Sequence, residues 1–141
     1  MFIKQLTVFL ENRVGSLQEI TEILKENDIN VYSISLADTS EYGLLRMIVS
    51  DPEKGRKVLC DAGISARLTD VIAARLENKV GTLAGLFNVL SEAEIGIEYM
   101  YAMATSQTGA MILKTDNPPK AVEVLENADI QLLDENTMYH L

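Results

Sequence analysis

The chain has 141 residues, a formal net charge of −9 and a pI near 4.5. This charge argues against nucleic acid as a partner, because neutralising phosphates is the main term in nucleic-acid affinity. Hydrophobic residues make up 48% of the sequence, so the chain can bury a core. Its longest apolar runs are far shorter than the about 20 residues that a membrane span requires, and we expect no membrane contact.

The N-terminus enters strand-like alternation at once, since residues 1–6 lack the basic region, apolar run and cleavage site of a secretory signal. Cys60 is the single cysteine, so no internal disulfide can form, and we expect it to be buried on a helix. His140, one residue from the C-terminus, fits a frayed tail better than an acid–base role. We expect a cytoplasmic protein with no metal, no cofactor and no catalytic residues.

The first half of the chain predicts the order βαββαβ. The elements are a strand over 3–10, a helix over 17–27, strands over 31–37 and 44–49 joined by a turn, a helix that begins at Pro52, and a strand that begins at Ile64. Leu17, Ile20 and Leu24 have the spacing of one helix face. Pro52 suits the first turn of a helix, where its missing N–H would have no partner.

The second half repeats the first. Residues 10–17 (Leu-Glu-Asn-Arg-Val-Gly-Ser-Leu) return as residues 76–83 (Leu-Glu-Asn-Lys-Val-Gly-Thr-Leu), an offset of 66. At that offset, 18 of the 60 positions from residue 10 to residue 69 are identical without a gap. The repeat predicts a second βαββαβ copy, with its second helix from Pro118 and its last strand from Ile130.

This order indicates an α+β protein with two ferredoxin-like domains in tandem, each an antiparallel sheet with its helices on one face. We place the domains at residues 1–70 and 71–141. Because residues 64–78 contain no glycine, proline or low-complexity run, we expect no flexible linker.

The second strand of each copy is partly apolar on both faces. In the first copy Val31 lies on one face, whereas Ile34 and Leu36 lie on the other. A strand with one solvated face would alternate more cleanly. We therefore predict that a second chain covers the helix-free face of the sheet, in a homodimer.

The most informative element is the loop before the first helix of each copy, residues 12–17 and 78–83. The first backbone N–H groups of a helix have no intrahelical partner and its dipole favours an anion, so a carboxylate would be stabilised there. Gly15 and Gly81 would let a ligand approach the backbone closely.

A purely structural role for these loops remains open. The glycine would then serve the turn, and Ser16 or Thr82 would cap the helix. In the first copy Glu19 has the spacing that completes a capping box with Ser16.

The sequence Asn-Arg-Val-Gly-Ser-Leu after a strand, followed by Asn-Asp-Ile-Asn-Val at residues 27–31, resembles the ACT domain family over essentially the whole chain. It resembles in particular the C-terminal regulatory domain of phosphoglycerate dehydrogenases, although Val14 and Val80 replace a frequent proline. The resemblance implies a non-catalytic domain that binds a free amino acid where two ACT units meet, as a signal for a partner enzyme.

The family pattern maps onto Asn12, Gly15 and Asn30 in the first copy, and onto Asn78 and Gly81 in the second. Gly96 stands where Asn30 stands in the first copy. The resemblance thus implies one fully equipped site, in the first copy, and one degenerate site.

The expected ligand-binding residues contribute backbone N–H groups for the carboxylate, amides that suit a zwitterion, and side chains that would meet the ligand's own side chain. They are Asn12, Arg13, Val14, Gly15, Ser16, Leu17, Asn30 and Tyr32 in the first copy, and Asn78, Val80, Gly81, Thr82, Leu83 and Glu98 in the second. Tyr99 and Tyr101 are further candidates, and an acidic Glu98 would favour a basic or imidazole-bearing amino acid.

Two alternatives stay open on the sequence alone. A constitutive assembly module would use the loops only to end helices, and no small molecule would change its stability. A small ferredoxin-like enzyme would need carboxylates or tyrosines brought together by the fold, for which the sequence gives no positive support.

Overall fold

The computed structural model describes residues 1–11, 13–38, 42–77, 79–104 and 108–140. The chain divides into two compact units. The first unit is Lys4–Thr69, and the second unit combines Met1–Ile3 with Asp70–Leu141. The predicted turns after residues 38 and 104 lie largely outside the described residues.

The elements follow the predicted order in both copies except at the end of the second copy. In chain order they are β1 (Ile3–Glu11), α1 (Ser16–Glu26), β2 (Val31–Asp38), β3 (Tyr42–Val49), α2 (Pro52–Asp61), β4 (Ala66–Glu77), α3 (Thr82–Glu92), β5 (Ile97–Ala104), β6 (Thr108–Thr115), α4 (Pro118–Asn127) and α5 (Glu135–Tyr139). The strand β4 contains the division between the units, because it serves as the last strand of the first copy and the first strand of the second.

Each unit forms an antiparallel sheet from its own strands. In the first unit β3 lies between β2 and β1, and Leu6 pairs with Met47. The N–H of Phe9 donates to the carbonyl of Ser65, just ahead of β4, at 3.0 Å. In the second unit β6 lies between β5 and β4.

The same face of each sheet packs against both helices of its unit, because alternate strand residues are apolar. The first core contains Leu6, Val8, Leu45 and Met47 from strands with Ile20, Leu24 and Leu59 from helices. The second contains Ile72, Ala74, Met111 and Leu113 from strands with Leu86, Leu90 and Leu125 from helices. The two units therefore build equivalent cores from equivalent positions.

The prediction of a last strand from Ile130 is wrong, because this segment forms only one isolated bridge. One bridge joins Leu132 to Ala74, and the N–H of Arg75 donates to the carbonyl of Gln131 at 2.8 Å. The chain then turns into α5, because the side chain of Asp134 accepts the N–H of Thr137 at 2.7 Å and caps that helix. The second copy thus replaces a strand with a short helix.

One further sequence-based expectation is wrong. Cys60 is exposed rather than buried, and its thiol lies 3.5 Å from the carbonyl of Ala66. On the helix-free face, Gln5 and Thr7 are buried within the single chain, and the Gln5 amide donates to the Thr7 hydroxyl at 2.9 Å. The prediction that a second chain covers this face of the sheet stays a prediction.

None of the helices formed by the described residues is both long and apolar enough to span a membrane.

Candidate functional site: two equivalent clefts

A glycine in the left-handed conformation precedes the first helix of each unit. Gly15 has φ 92° before α1, and Gly81 has φ 91° before α3. A Cβ at either position would meet no atom within 4 Å, so it is the backbone angle and not crowding that requires glycine. The two loops share one backbone design.

The expected side-chain caps are absent from both helices as far as the described residues show. The Ser16 hydroxyl donates back to the carbonyl of Glu11 at 2.9 Å, and the Thr82 hydroxyl is buried without a hydrogen-bond partner. The predicted capping box is therefore wrong. Glu19 instead pairs with Arg13, and the first-turn N–H groups keep no side-chain acceptor among these residues.

Apolar side chains flank each glycine on the solvent side. Val14 and Val80 are fully exposed, and Leu17 and Leu83 are about 40% exposed. An exposed apolar residue taken singly needs no explanation, but the same two positions are exposed in both copies. Each loop therefore exposes apolar side chains to solvent on both sides of its glycine.

Each loop borders a cleft between the end of a strand, the first turn of the following helix and the segment after the unit's second helix. The first cleft has a volume of about 320 Å³, and its lining includes Glu11, Arg13, Ser16, Glu19, Gly63 and Ser65. The second has a volume of about 700 Å³, and its lining includes Glu77, Lys79, Thr82, Gly85, Asp129 and Gln131. Each of these six positions matches its counterpart at the offset of 66.

One pair of positions distinguishes the clefts most strongly. In the first, the Nη2 of Arg13 lies 2.8 Å from a carboxylate oxygen of Glu19, and its Nε lies 3.3 Å from Glu11. In the second, the Nζ of Lys79 lies 3.1 Å from Glu77, the counterpart of Glu11. Gly85 stands at the position of Glu19 and supplies no carboxylate.

The charges that line the clefts differ as well. The first cleft has one cation, Arg13, with two carboxylates, whereas the second has the cations Arg75 and Lys79 with the carboxylates Glu77 and Asp129. The hydrogen bond and the negative charge of Glu19 raise the pKa of the Arg13 guanidinium, with a smaller contribution from Glu11. The Nη1 of Arg75 faces the neutral amide oxygen of Gln131 at 3.4 Å.

The remaining expected residues lie elsewhere. Asn30 and Tyr32 come after the C-terminal end of α1, whereas Gly15 precedes its N-terminal end, and the 11 residues of this helix span about 16 Å. Glu98 is exposed near the start of β5, in the corresponding place of the second unit. Asn12 and Asn78 lie outside the described residues. One unit alone does not bring its loop together with Asn30 or Glu98.

The substitution of glycine for Asn30 in the second copy has a local cause. The N–H of Gly96 donates to a carboxylate oxygen of Asp116 at 3.1 Å, whereas in the first copy the N–H of Asn30 donates to the Ser50 hydroxyl at 2.9 Å. A Cβ on Gly96 would lie 2.8 Å from the Asp116 carboxylate. Gly96 therefore accommodates a larger neighbour.

Sequence reasoning missed Arg75, Gly85, Asp129 and Gln131 as cleft residues. The signal was available for Gly85, because the offset of 66 aligns it with Glu19. The other three come from the strand before the loop and the segment after α4, and only the fold brings them to the cleft. Among the described residues no group of three or more potential metal ligands forms.

Comparison with known proteins gives the family. The chain matches the family model of the ACT domain pair over residues 1–141. The crystal structure of protein BT0572 from Bacteroides thetaiotaomicron superposes with a TM-score of 0.94 at 38% identity, covering 100% of this chain and 98% of that chain. No curated protein sequence matches.

More distant structures share the fold. The ligand-free regulatory subunit of aspartate kinase from Thermus thermophilus has a TM-score of 0.64 at 16% identity, covering 89% of this chain and 91% of that chain. A structure of aspartokinase α and β subunits has a TM-score of 0.61 at 17% identity, covering 89% and 90%. The ferredoxin-like fold expected for both copies is confirmed, and the chain belongs to the family of ACT domain pairs.

Proposed function

We propose that the chain is a non-catalytic regulatory module that binds a free amino acid beside its glycine loops and passes the signal to a partner enzyme. The observation that carries the proposal is the second cleft, whose volume of about 700 Å³ falls in the range of small-molecule sites. It lies at the N-terminus of an 11-residue helix whose first turn lacks a side-chain cap among the described residues. Such a helix end stabilises an anion.

The charges around this cleft suit a zwitterion. Lys79 and Arg75 are cations that can meet a ligand carboxylate, and Glu77 and Asp129 are carboxylates that can meet its ammonium group. The buried hydroxyl of Thr82 makes no hydrogen bond, and a buried group left in that state costs about 1–3 kcal/mol. A polar ligand that reached it would recover part of that cost.

Two resemblances support a regulatory role for the bound amino acid. The loops resemble those of phosphoglycerate dehydrogenase regulatory domains, and one neighbour in fold is the regulatory subunit of an aspartate kinase. Fold analogy alone does not fix function, so the amino acid must be identified by experiment. A site built from the Asn12 loop and Asn30 would need a second ACT unit, whereas the second cleft is built within one unit.

The experiment is a thermal unfolding series with each of the twenty amino acids at 10 mM. A ligand that binds the native state stabilises it by RT ln(1 + [L]/Kd), about 2.7 kcal/mol at one hundred times Kd. We expect one or a few amino acids to raise Tm. The carboxamide and the N-acetyl derivative of each hit are the matched controls, and each should raise Tm less than the amino acid does, because each has lost one charge of the zwitterion.

If none of the twenty amino acids raised Tm, the proposal would be contradicted. Equal increases with the carboxamide and the N-acetyl derivative would also contradict it, because recognition would then not depend on the zwitterion.

A second candidate, a constitutive homodimeric assembly module, is favoured by one observation. Ile34 and Leu36 on β2 are each 51% exposed, and within the described residues β2 lies at the edge of its sheet. Exposed apolar edge strands pair readily with other chains. Light scattering would test it: Leu36→Lys should dissociate such a dimer, whereas Val14→Lys, on an equally apolar but separate surface, should not.

A further inference from the structure

The two clefts differ in a way that assigns them different roles, and the assignment rests on the amino-acid-binding function proposed above. We propose that the second unit holds the carboxylate site of the chain, and that the first unit occupies its own equivalent site with the carboxylate of Glu19. The ligand class is a small molecule with a free carboxylate, and Gly85 is the residue that admits it.

The cation of each loop is the first ground for this assignment. Arg13 and Lys79 are counterparts, and both bind the carboxylate at the end of the preceding strand, Glu11 at 3.3 Å and Glu77 at 3.1 Å. Arg13 has a second and closer carboxylate, Glu19 at 2.8 Å. In the first unit, therefore, a side-chain carboxylate, that of Glu19, is bound beside the cation of the loop.

The position of Glu19 itself is the second ground. It is the fourth residue of α1, as Gly85 is the fourth residue of α3. A Cβ on Gly85 would meet no atom within 4 Å. The Cβ position of Gly85 is therefore open, and Gly85 lines the second cleft together with Lys79. A carboxylate from solution can approach Lys79 there.

The third ground is electrostatic. The second cleft gains a cation that the first lacks, because Arg75 stands at the position of Phe9 and faces the neutral Gln131. It loses the carboxylate of Glu19 but gains that of Asp129 at the position of Gly63, so the two clefts have two carboxylates each and the second has one more cation. The larger cleft is thus also the less negative one, as an anionic group requires.

The test is an amide NMR titration with acetate, which carries only the carboxylate, and with acetamide as the uncharged control of the same shape. In the wild type we expect saturable, acetate-specific shifts at residues 81–83 and none at residues 15–17. Gly85→Glu should weaken acetate binding at residues 81–83 at least tenfold. Asn88→Glu, which adds the same charge at an exposed position of α3 outside the cleft lining, should leave it within twofold.

The reciprocal variant opens the first unit. Glu19→Ala should add acetate-specific shifts at residues 15–17, because Arg13 then keeps one carboxylate partner, as Lys79 does. The Glu19→Ala titration also tests the proposal if Gly85→Glu does not fold. Equal shifts at both loops in the wild type, no acetate-specific shift at residues 81–83, or no gain in Glu19→Ala would each overturn the proposal.

The outcomes separate this inference from the proposed function. Acetate-specific shifts at residues 81–83 without an increase in Tm from any amino acid would retain the carboxylate site and remove the amino-acid sensor. An increase in Tm from an amino acid, with acetate shifts absent from residues 81–83, would retain the sensor and overturn the assignment to this cleft.

Discussion

The two glycine loops have the same backbone conformation but border clefts of different volume. Gly15 and Gly81 have nearly the same φ, yet the cleft beside the first loop has a volume of about 320 Å³ and that beside the second about 700 Å³. The Glu19 side chain, held by Arg13, lines the first cleft, and Gly85 leaves the second without a side chain at this position. A duplicated domain can therefore keep its fold while one helical position changes the cleft beside its loop.

The largest expected effects test whether the copies share one core. Leu59 and Leu125 are counterparts, and neither has exposed area. Leu59→Ala and Leu125→Ala should each lower the free energy of unfolding by about 2–5 kcal/mol, because each leaves a cavity in a packed core. Urea denaturation measures both. The controls Leu59→Met and Leu125→Met should cost less than about 1.5 kcal/mol, and a similarly small cost for either alanine would break the equivalence.

The next effect tests the shared loop backbone. Gly15→Ala and Gly81→Ala should each destabilise the chain by about 1–2 kcal/mol, because alanine in the left-handed conformation brings its Cβ close to a carbonyl oxygen. The two costs should agree, since the φ angles differ by 1°. Stability unchanged by either variant would contradict the backbone origin of the shared design.

A smaller effect of opposite sign sharpens the contrast between the copies. Gly85 lies within α3, and a Cβ at this position would meet no atom within 4 Å. Gly85→Ala should therefore stabilise the chain by about 0.5–1 kcal/mol, because glycine loses more backbone entropy on folding than alanine does. A loss of stability in Gly85→Ala would show that the position is closed, and the second cleft would no longer differ from the first in this way.

The smallest effect concerns α5, which has no counterpart among the described residues of the first unit. The backbone and side-chain hydrogen bonds with Thr137 lower the pKa of Asp134 below the ordinary value of an aspartate. The resulting stabilisation is present above that ordinary value and is lost as pH falls through the lowered pKa. Asp134→Asn keeps an N-cap acceptor without the charge. The difference in Tm between wild type and variant should shrink from pH 7 to pH 3, and a difference independent of pH would contradict this.

Most of the fold could be predicted from the sequence because the hydrophobic periodicity and the residues that begin helices agree in both copies. Apolar alternation, helical spacing and the prolines at 52 and 118 placed the elements within a few residues of their observed bounds. The last strand was the exception. Residues 130–133 are apolar enough for a strand, but the cap at Asp134 three residues before Thr137 turns the chain into α5.

The candidate site was harder to predict because its chemistry depends on residues far apart in sequence. The glycine loops could be found by their repeat, whereas Arg75, Asp129 and Gln131 reach the second cleft only through the pairing of β4 with residues 131–133. The sequence also favoured the first copy as the better-equipped site, on the strength of Asn30. That ranking stays a prediction, because Asn12 lies outside the described residues and Asn30 lines neither cleft. The inference drawn from the clefts favours the second copy instead, because Glu19, expected to be a capping residue, pairs with Arg13.

The most direct test is the number of amino-acid molecules bound per chain, measured by isothermal titration with the amino acid that raises Tm most. We expect one per chain in the wild type and none in Gly85→Glu. Two per chain in the wild type, or one per chain in Gly85→Glu, would contradict the claim that the copies have divided into an open cleft and a self-occupied one.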